Sequence, residues 1–264
     1  MPVSPSGGTL LSLNETLDAP ESVDVFADGG EVGRHMRTVD WTATPVGEPS
    51  AWPQSLRSMV RFMLASRYAM WMGWGPDLAF FYNDAYAPTL GQKQSWAAGA
   101  PAREVWREIW PAVGPLADQV ITTGKATYNE GMLLFLERSG FPEETYHTFS
   151  YSPVFAETGG VAGMFCVVVE ETERVISERR LATLGEVAAA AATSNTEAEL
   201  FANLAEPLRA NLHDLPFSLI YLFEEDGGAR LAATSGLESG HPAAPARLLP
   251  GDRRGPVAAI EAEI

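Results

Sequence analysis

The order of strand-like and helical segments between about residues 69 and 173 restricts the fold more than any other feature of the sequence. Two short aromatic runs, AMWMGW and LAFFY, flank Gly75-Pro76-Asp77, a combination typical of a hairpin turn. The helical stretches NDAYAPTLG, REVWREIWPAV and PLADQVITTG come next, and Gly91 and Gly124 end the first and the third. Three longer strand-like stretches follow: TYNEGMLLFLE, ETYHTFSYSPV and VAGMFCVVVEE. Strands at both ends of a helical cluster predict an α+β fold, with an antiparallel sheet and short helices on one face.

Two segments precede this unit. Residues 1–31 carry six acidic side chains and no basic one, among Gly, Ser and Pro, and are predicted to be a disordered tail. Residues 32–68 are predicted to be a helical extension in two pieces, separated at TPVGEP. The second piece begins with Ser50 as a candidate N-cap and Pro53 in the first turn. Its apolar residues share one helical face: Leu56, Val60, Met63 and Leu64.

A helical connector is predicted over residues 174–195. Leu181, Leu184, Ala188 and Ala191 are spaced by three, four and three residues, the spacing of a coiled-coil seam. This spacing predicts a homodimer formed through the connector. The alternative is a single amphipathic helix that lies on its own domain.

A second α+β unit is predicted over residues 196–264. It begins with the amphipathic helix TEAELFANLAEPLRANL, and FSLIYLFEEDGGARLAATSGL follows as a hairpin that turns at Asp226-Gly227-Gly228. About 70 residues are few for a domain with this beginning, so we expect a truncated domain.

Composition excludes several classes of function. The formal net charge of −16 argues against a nucleic-acid partner, which requires a basic face. The single cysteine, Cys166, excludes an internal disulfide and a cysteine-rich zinc site. No apolar run approaches the roughly 20 residues that span a bilayer, and the N-terminus has no basic, apolar secretory signal. We therefore expect a cytoplasmic protein without a membrane partner.

Several short motifs in this order resemble a PAS domain. They are the aromatic hairpin, the Asn83-Asp84-Ala85 step into a helix, Gly99 before REVW, Ser152-Pro153-Val154, and the exit Glu170-Glu171-Thr172-Glu173. The family usually has Asp-aliphatic-Thr-Glu at that exit, so the two glutamates depart from the pattern. The resemblance assigns residues 69–173 to the PAS domain. TPVGEPSAWPQSLR is similar to the extension that precedes PAS modules in soluble bacterial sensor histidine kinases, and residues 196–264 resemble the start of a GAF domain.

The resemblance implies a sensory input module rather than an enzyme. A ligand, redox or light-type signal would pass from an internal pocket through the last strand and the connector to an output domain, expected to be a histidine kinase of two-component signalling. The expected relay residues are Glu170, Thr172, Leu181 and Leu184. A ligand-free dimerisation module is the alternative function, and a phosphatase or a cyclic-dinucleotide synthase the alternative output. No convincing nucleophile–base pair is present, so no residue is assigned a catalytic role.

The same resemblance places a set of side chains in the pocket. The candidates are His147, Phe149, Tyr151, Met164, Cys166, Val168, Trp106 and Trp110. Most are apolar or aromatic, so they suit a small apolar or aromatic ligand, or simply a packed core. His147 either contacts that ligand or is a core histidine that a backbone carbonyl satisfies.

The cofactor is left unknown, and two are disfavoured. Ala102 stands where the light-sensing LOV branch of the family has the cysteine that forms a flavin adduct. The helix PLADQVITTG has no histidine to bind haem iron. No spacing of acidic residues or histidines requires a metal.

Overall fold

The computed structural model describes residues 24–238 and 240–250 and divides into two compact units between Glu171 and Thr172. The first unit contains helices α1 (Gly30–Met36), α2 (Gln54–Ala65), α3 (Ala87–Leu90), α4 (Ala102–Val105) and α5 (Trp110–Thr123). Its strands are β1 (Met70–Trp74), β2 (Ala79–Tyr82), β3 (Thr127–Leu136), β4 (Glu143–Phe155) and β5 (Val161–Glu170). The second unit contains α6 (Thr172–Thr193), α7 (Glu197–Ala210), β6 (Ser218–Phe223), β7 (Ala229–Ser235) and β8 (Arg247–Leu248).

The first unit is built on one antiparallel sheet with the strand order β2-β1-β5-β4-β3. The predicted α+β architecture is thus confirmed. In β4 the buried side chains alternate with half-buried ones, as expected for a strand with one face on the core. The register pairs Tyr151 with Cys166 and His147 with Glu170, so the inner faces of β4 and β5 are continuous.

Helix α5 differs from the prediction. Two helices were expected, REVWREIWPAV and PLADQVITTG. The structure also has two, but the break between them lies earlier: α4 ends at Val105, and α5 begins at Trp110 and continues through Pro115. Pro111 lies in the first turn of that helix, where its missing N–H has no helical partner to lose, and it therefore favours a new start. Pro115 is tolerated inside the helix. The predicted end at Gly124 is confirmed, with the glycine in the left-handed conformation at φ +64°.

The N-terminal extension belongs to the core of the first unit. Leu56, Val60, Met63 and Leu64 of α2 are buried, as predicted. Ser50 is not the cap of this helix, because it lies in a preceding 3₁₀ turn and Pro53 occupies the N-cap position. Helix α2 thus begins without a side-chain cap, and its packing rather than a cap stabilises it.

The tail prediction is wrong at its C-terminal end. Val25 and Phe26 are buried, and the Phe26 ring stacks on Trp41 with ring centroids 5.7 Å apart. Trp41 stacks in turn on Phe81 of β2 at 5.2 Å. The prediction relied on the acidic composition of the whole segment, which does not show that these two apolar residues pack into the core. The rest of the predicted tail, residues 1–23, lies outside the described residues.

A buried asparagine ties the extension to the sheet. Asn83 is fully buried, and its side-chain oxygen accepts hydrogen bonds from the backbone N–H groups of Met70 and Tyr86. Its amide nitrogen lies within hydrogen-bond distance of three carbonyl oxygens, those of Met63, Ser66 and Tyr68. This explains why the Asn83-Asp84-Ala85 step needs an amide side chain at its first position.

The second unit contains the predicted helix and hairpin. Strands β6, β7 and β8 form an antiparallel sheet, and Gly227 takes φ +81° in the turn. Helix α7 begins at Glu197, and Thr196 accepts a hydrogen bond from the N–H of Glu199 as its N-cap. The part of this unit assigned to residues 251–264 lies outside the described residues.

Candidate functional site

A small cavity lies between the inner face of the first unit's sheet and the helical segments that cover it. Its volume is about 30 Å³, room for one or two water molecules. Strand β4 lines it with His147, Phe149 and Tyr151, and β5 lines it with Cys166 and Val168. The predicted inner face of these two strands is therefore the face that the structure turns towards the cavity.

Two of the eight predicted pocket residues do not line the cavity. Met164 is fully buried on the same face of β5, but its register partners are Gly73 and Pro153, farther along the sheet from the cavity. Trp110 is half-buried at the start of α5, and its indole lies over Gly114 of its own helix. The sixth residue that does line the cavity is Trp106, in the turn between α4 and α5.

Seven further residues complete the wall: Trp71, Tyr86, Thr89, Ile109, Val113, Leu134 and Leu136. None of the seven is among the predicted pocket residues, although the alternation of β3 and the aromatic run of β1 carried a signal for some of them. The Trp71 ring meets Tyr151 edge to face at 5.6 Å, and Tyr86 meets Trp106 in the same geometry at 6.2 Å. Such pairs stabilise a packed wall.

The polar groups of this wall are neutral. Burial raises the pKa of the Tyr86 and Tyr151 hydroxyls well above the ordinary value. Burial also raises the pKa of the Cys166 thiol, so this cysteine behaves as an apolar group rather than as a nucleophile. The cavity is therefore an apolar space with one imidazole at its edge.

His147 is hydrogen-bonded to the protein itself. Its Nε2 lies 3.0 Å from the hydroxyl of Thr145, and this hydroxyl donates its only hydrogen to the carbonyl of Leu134 at 2.8 Å. The hydroxyl oxygen must therefore accept from the imidazole, which places the hydrogen on Nε2 and leaves Nδ1 as an acceptor. The partner is a threonine hydroxyl, not the backbone carbonyl expected from the sequence.

The protonation of His147 depends on the charged residues at the C-terminal end of β5. Burial lowers the pKa of the imidazole, the carboxylate of Glu170 raises it, and the guanidinium of Arg138 lowers it. Arg138 donates to both carboxylate oxygens of Glu170, at 3.0 and 3.2 Å, and to Glu143 at 2.9 Å. The charged cluster at the end of β5 thus acts directly on the buried imidazole.

Glu171, the last residue before α6, is held by β4. The carboxylate of Glu171 accepts from the hydroxyl of Thr148 at 2.8 Å, and its backbone N–H donates to the carbonyl of Tyr146 at 2.8 Å. Thr172 is the first residue of α6 and is half-buried. The predicted relay residues Glu170 and Thr172 therefore lie at the junction of strand and helix.

The site does not fit a large cofactor. A volume of about 30 Å³ is roughly a tenth of the smallest usual ligand pocket. Within residues 24–238 and 240–250 no group of His, Cys, Asp or Glu has the arrangement of a metal site. In the same ranges no helix is both long and apolar enough to cross a bilayer.

Comparison with known proteins gave matches only among solved structures. No protein-family model matches the chain, and the search of curated proteins found no match. A sensory box sensor histidine kinase from Vibrio cholerae is 15% identical over 44% of this chain and 89% of its own, with a TM-score of 0.31. The PAS domain of BvgS from Bordetella pertussis is 17% identical over 50% of this chain and 99% of its own, with a TM-score of 0.34.

A third solved structure is an RNA-binding light-oxygen-voltage receptor. It is 20% identical over 56% of this chain and 42% of its own, with a TM-score of 0.38. These superpositions are loose. The assignment of a function therefore depends on features of this chain itself: the strand order, the cavity and the junction between β5 and α6.

Proposed function

We propose that the chain is a PAS-type sensory input module, in which the state of the cavity is passed through the end of β5 to α6. One observation carries this proposal: His147, at the edge of the cavity, is the register partner of Glu170, the last residue of β5. Because α6 begins two residues later at Thr172, a change at the cavity wall reaches the helix through very few bonds.

The physical link is electrostatic as well as covalent. A change in the position or the charge of His147 alters the field at Glu170, and Glu170 is fixed by its paired contacts with Arg138. Glu171 is fixed in the same way by Thr148. A rearrangement of either contact would move the first turn of α6, and a discrete switch between two such contacts is the usual form of a structural signal.

The proposed ligand is small and apolar. The wall is mostly aromatic and aliphatic, with the imidazole of His147 at its edge. A ligand as large as an indole ring would have to displace wall side chains, since the cavity has a volume of only about 30 Å³. This small volume also favours the second candidate, a ligand-free interaction module whose cavity is a packing defect.

Native mass spectrometry of the purified chain separates the two candidates. The sensor predicts an additional small mass that disappears in Cys166→Met, a variant whose longer side chain fills the cavity. The ligand-free module predicts equal masses, apart from the substitution, for both proteins. An additional mass that persists in Cys166→Met would place the ligand elsewhere and contradict the cavity assignment.

Dimerisation through α6 is a further part of the proposal. Leu181 and Leu184 are 66% and 63% exposed, and Ala188 and Ala191 of the same seam are exposed too. A second copy of this stripe would cover apolar surface that the described part of the chain leaves open. Small alanines at the seam allow the two helices to approach closely.

The output is proposed from the sequence resemblance. We place the chain before a histidine kinase domain, with a phosphatase or a cyclic-dinucleotide synthase as the alternative, and residues 196–264 as the start of a GAF domain. We also propose that the chain acts in the cytoplasm, and its net charge of −16 disfavours a nucleic-acid partner.

A further inference from the structure

Helix α6 presents two different faces in the second unit. One face is covered or half-covered and is spaced by three, four, four and three residues: Ile176, Arg179, Thr183, Val187 and Ala190. The other is the exposed stripe that contains Leu181 and Leu184. The covered face meets α7 and the turn that follows it at residues 211–214.

A buried polar network joins the covered face to this turn. Arg179 donates to both carboxylate oxygens of Asp214, at 2.8 and 2.9 Å. The side-chain amide of Asn211 donates to the hydroxyl of Thr183 and to Asp214, at 2.9 Å each. The N–H of Asp214 donates in turn to the side-chain oxygen of Asn211 at 3.2 Å. Every member of the network therefore fixes another.

The network is shielded from water. Thr183 is 9% exposed, Asn211 is 6% exposed, and the side chain of Asp214 is 10% exposed. The paired guanidinium holds the pKa of the Asp214 carboxyl far below its ordinary value. Shielded polar groups need their partners, so this network fixes the rotation of α6 more strictly than apolar packing does.

A second arginine lies beside the first. Arg180 is 3.5 Å from Asp214, and its side chain is 65% exposed, whereas Arg179 is 22% exposed. One residue along a helix corresponds to a turn of about 100°. A turn of α6 by this step would bring Arg180 into the place of Arg179 and Leu184 into the place of Thr183. Leu184 would then be covered, and Asn211 would lose the hydroxyl that it contacts.

We propose that the turn at residues 211–214 is a lock that selects one of two rotational registers of α6. In the register of the structure, Arg179 makes the paired, shielded contact with Asp214, Arg180 makes a longer and exposed one, and Leu181 and Leu184 stay exposed. In the other register Arg180 takes the shielded contact and Leu184 is withdrawn. Asp214 is thus a positioning residue that couples the rotation of α6 to the exposure of its leucine stripe. The meaning of this rotation as a signal rests on the proposed function, but the lock itself does not.

Amide hydrogen exchange of the full chain tests the lock. Asp214→Asn and Arg179→Gln should each speed exchange in residues 176–187 by about tenfold, because the shielded contact is lost, and Arg180→Gln should leave it unchanged. The double variant Arg179→Asp with Asp214→Arg should restore the slow exchange. Exchange in β4 and β5 is the internal control and should stay constant in all four proteins.

Two results would overturn the lock. One is equal exchange in Arg179→Gln and Arg180→Gln, which would show that Asp214 does not distinguish the two arginines. The other is failure of the charge-reversed pair to restore protection, including the case in which a single variant unfolds the second unit. Loss of the coupling between the cavity and the start of α6 would leave these results unchanged, so the two proposals fail separately.

Discussion

Replacing Thr145 by valine removes one hydroxyl and leaves the buried imidazole of His147 without its partner. The shape of the side chain is nearly kept and the carbonyl of Leu134 stays in the ladder opposite residue 145, but the Nε2–H of His147 loses its acceptor. Thr145 is fully buried and His147 is 3% exposed, so water does not replace the lost hydroxyl. The change therefore isolates the hydrogen bonds that hold the imidazole at the cavity.

The magnitude follows from the one unsatisfied group. A buried polar group without a partner costs roughly 1–3 kcal/mol, so Thr145→Val should lower the free energy of unfolding by about that amount. His147→Phe should cost about 1 kcal/mol or less, because the Thr145 hydroxyl keeps its bond to Leu134. In the double variant the unsatisfied imidazole is absent. Its cost should therefore fall short of the sum of the single costs by about 1–2 kcal/mol.

Urea unfolding followed by tryptophan fluorescence measures these differences in the first unit alone. All seven tryptophans lie between residues 41 and 110, so the second unit does not contribute to the signal. The denaturant slope of each variant should match that of the parent protein, which shows that the same surface unfolds. Additive single and double costs, within about 0.4 kcal/mol, would refute the contact between His147 and Thr145.

Two further predictions concern pH and association. Because the folded-state pKa of His147 is lowered from 6.5, the unfolded chain binds the proton more readily, and stability is lost as the pH falls below 6.5 through the folded-state pKa. The difference in unfolding free energy between the parent protein and His147→Phe should therefore shrink between about pH 7 and 5, and a constant difference would contradict this. Aspartate at both Leu181 and Leu184 should halve the mass measured by light scattering. Aspartate at both Ala182 and Ala189, which are exposed positions outside the stripe, should leave the mass unchanged. Equal masses for the two double variants would exclude the seam.

The sequence predicted those parts of the fold that depend on local pattern. Alternation along β4 is a property of consecutive residues, so the inward face of His147, Phe149 and Tyr151 was readable without the structure. The hairpin turns and the end of α5 at Gly124 were readable for the same reason, since glycine takes φ values that other residues avoid.

The remaining features depend on contacts between distant segments. Met164 shares the inward face of β5, but only the pairing of β5 with β1 and β4 decides that it lies outside the cavity. Phe26 is separated by 55 residues from Phe81, and the two are joined through aromatic neighbours that composition does not reveal. The bond between His147 and Thr145 required the rotamers of both residues. No sequence pattern supplies them.

The proposed signal path is tested by the response of α6 to an occupied cavity. Xenon enters apolar cavities. The NMR chemical shifts of the backbone amides under xenon pressure therefore show how far a change at the cavity wall is transmitted. If the end of β5 carries the signal, shifts at Phe149 and Val168 should continue through Glu170 to residues 172–180. In Glu170→Gln, the wall should still respond and residues 172–180 should not. A wall that responds in the parent protein while residues 172–180 stay unchanged, or equal responses of those residues in both proteins, would contradict this path.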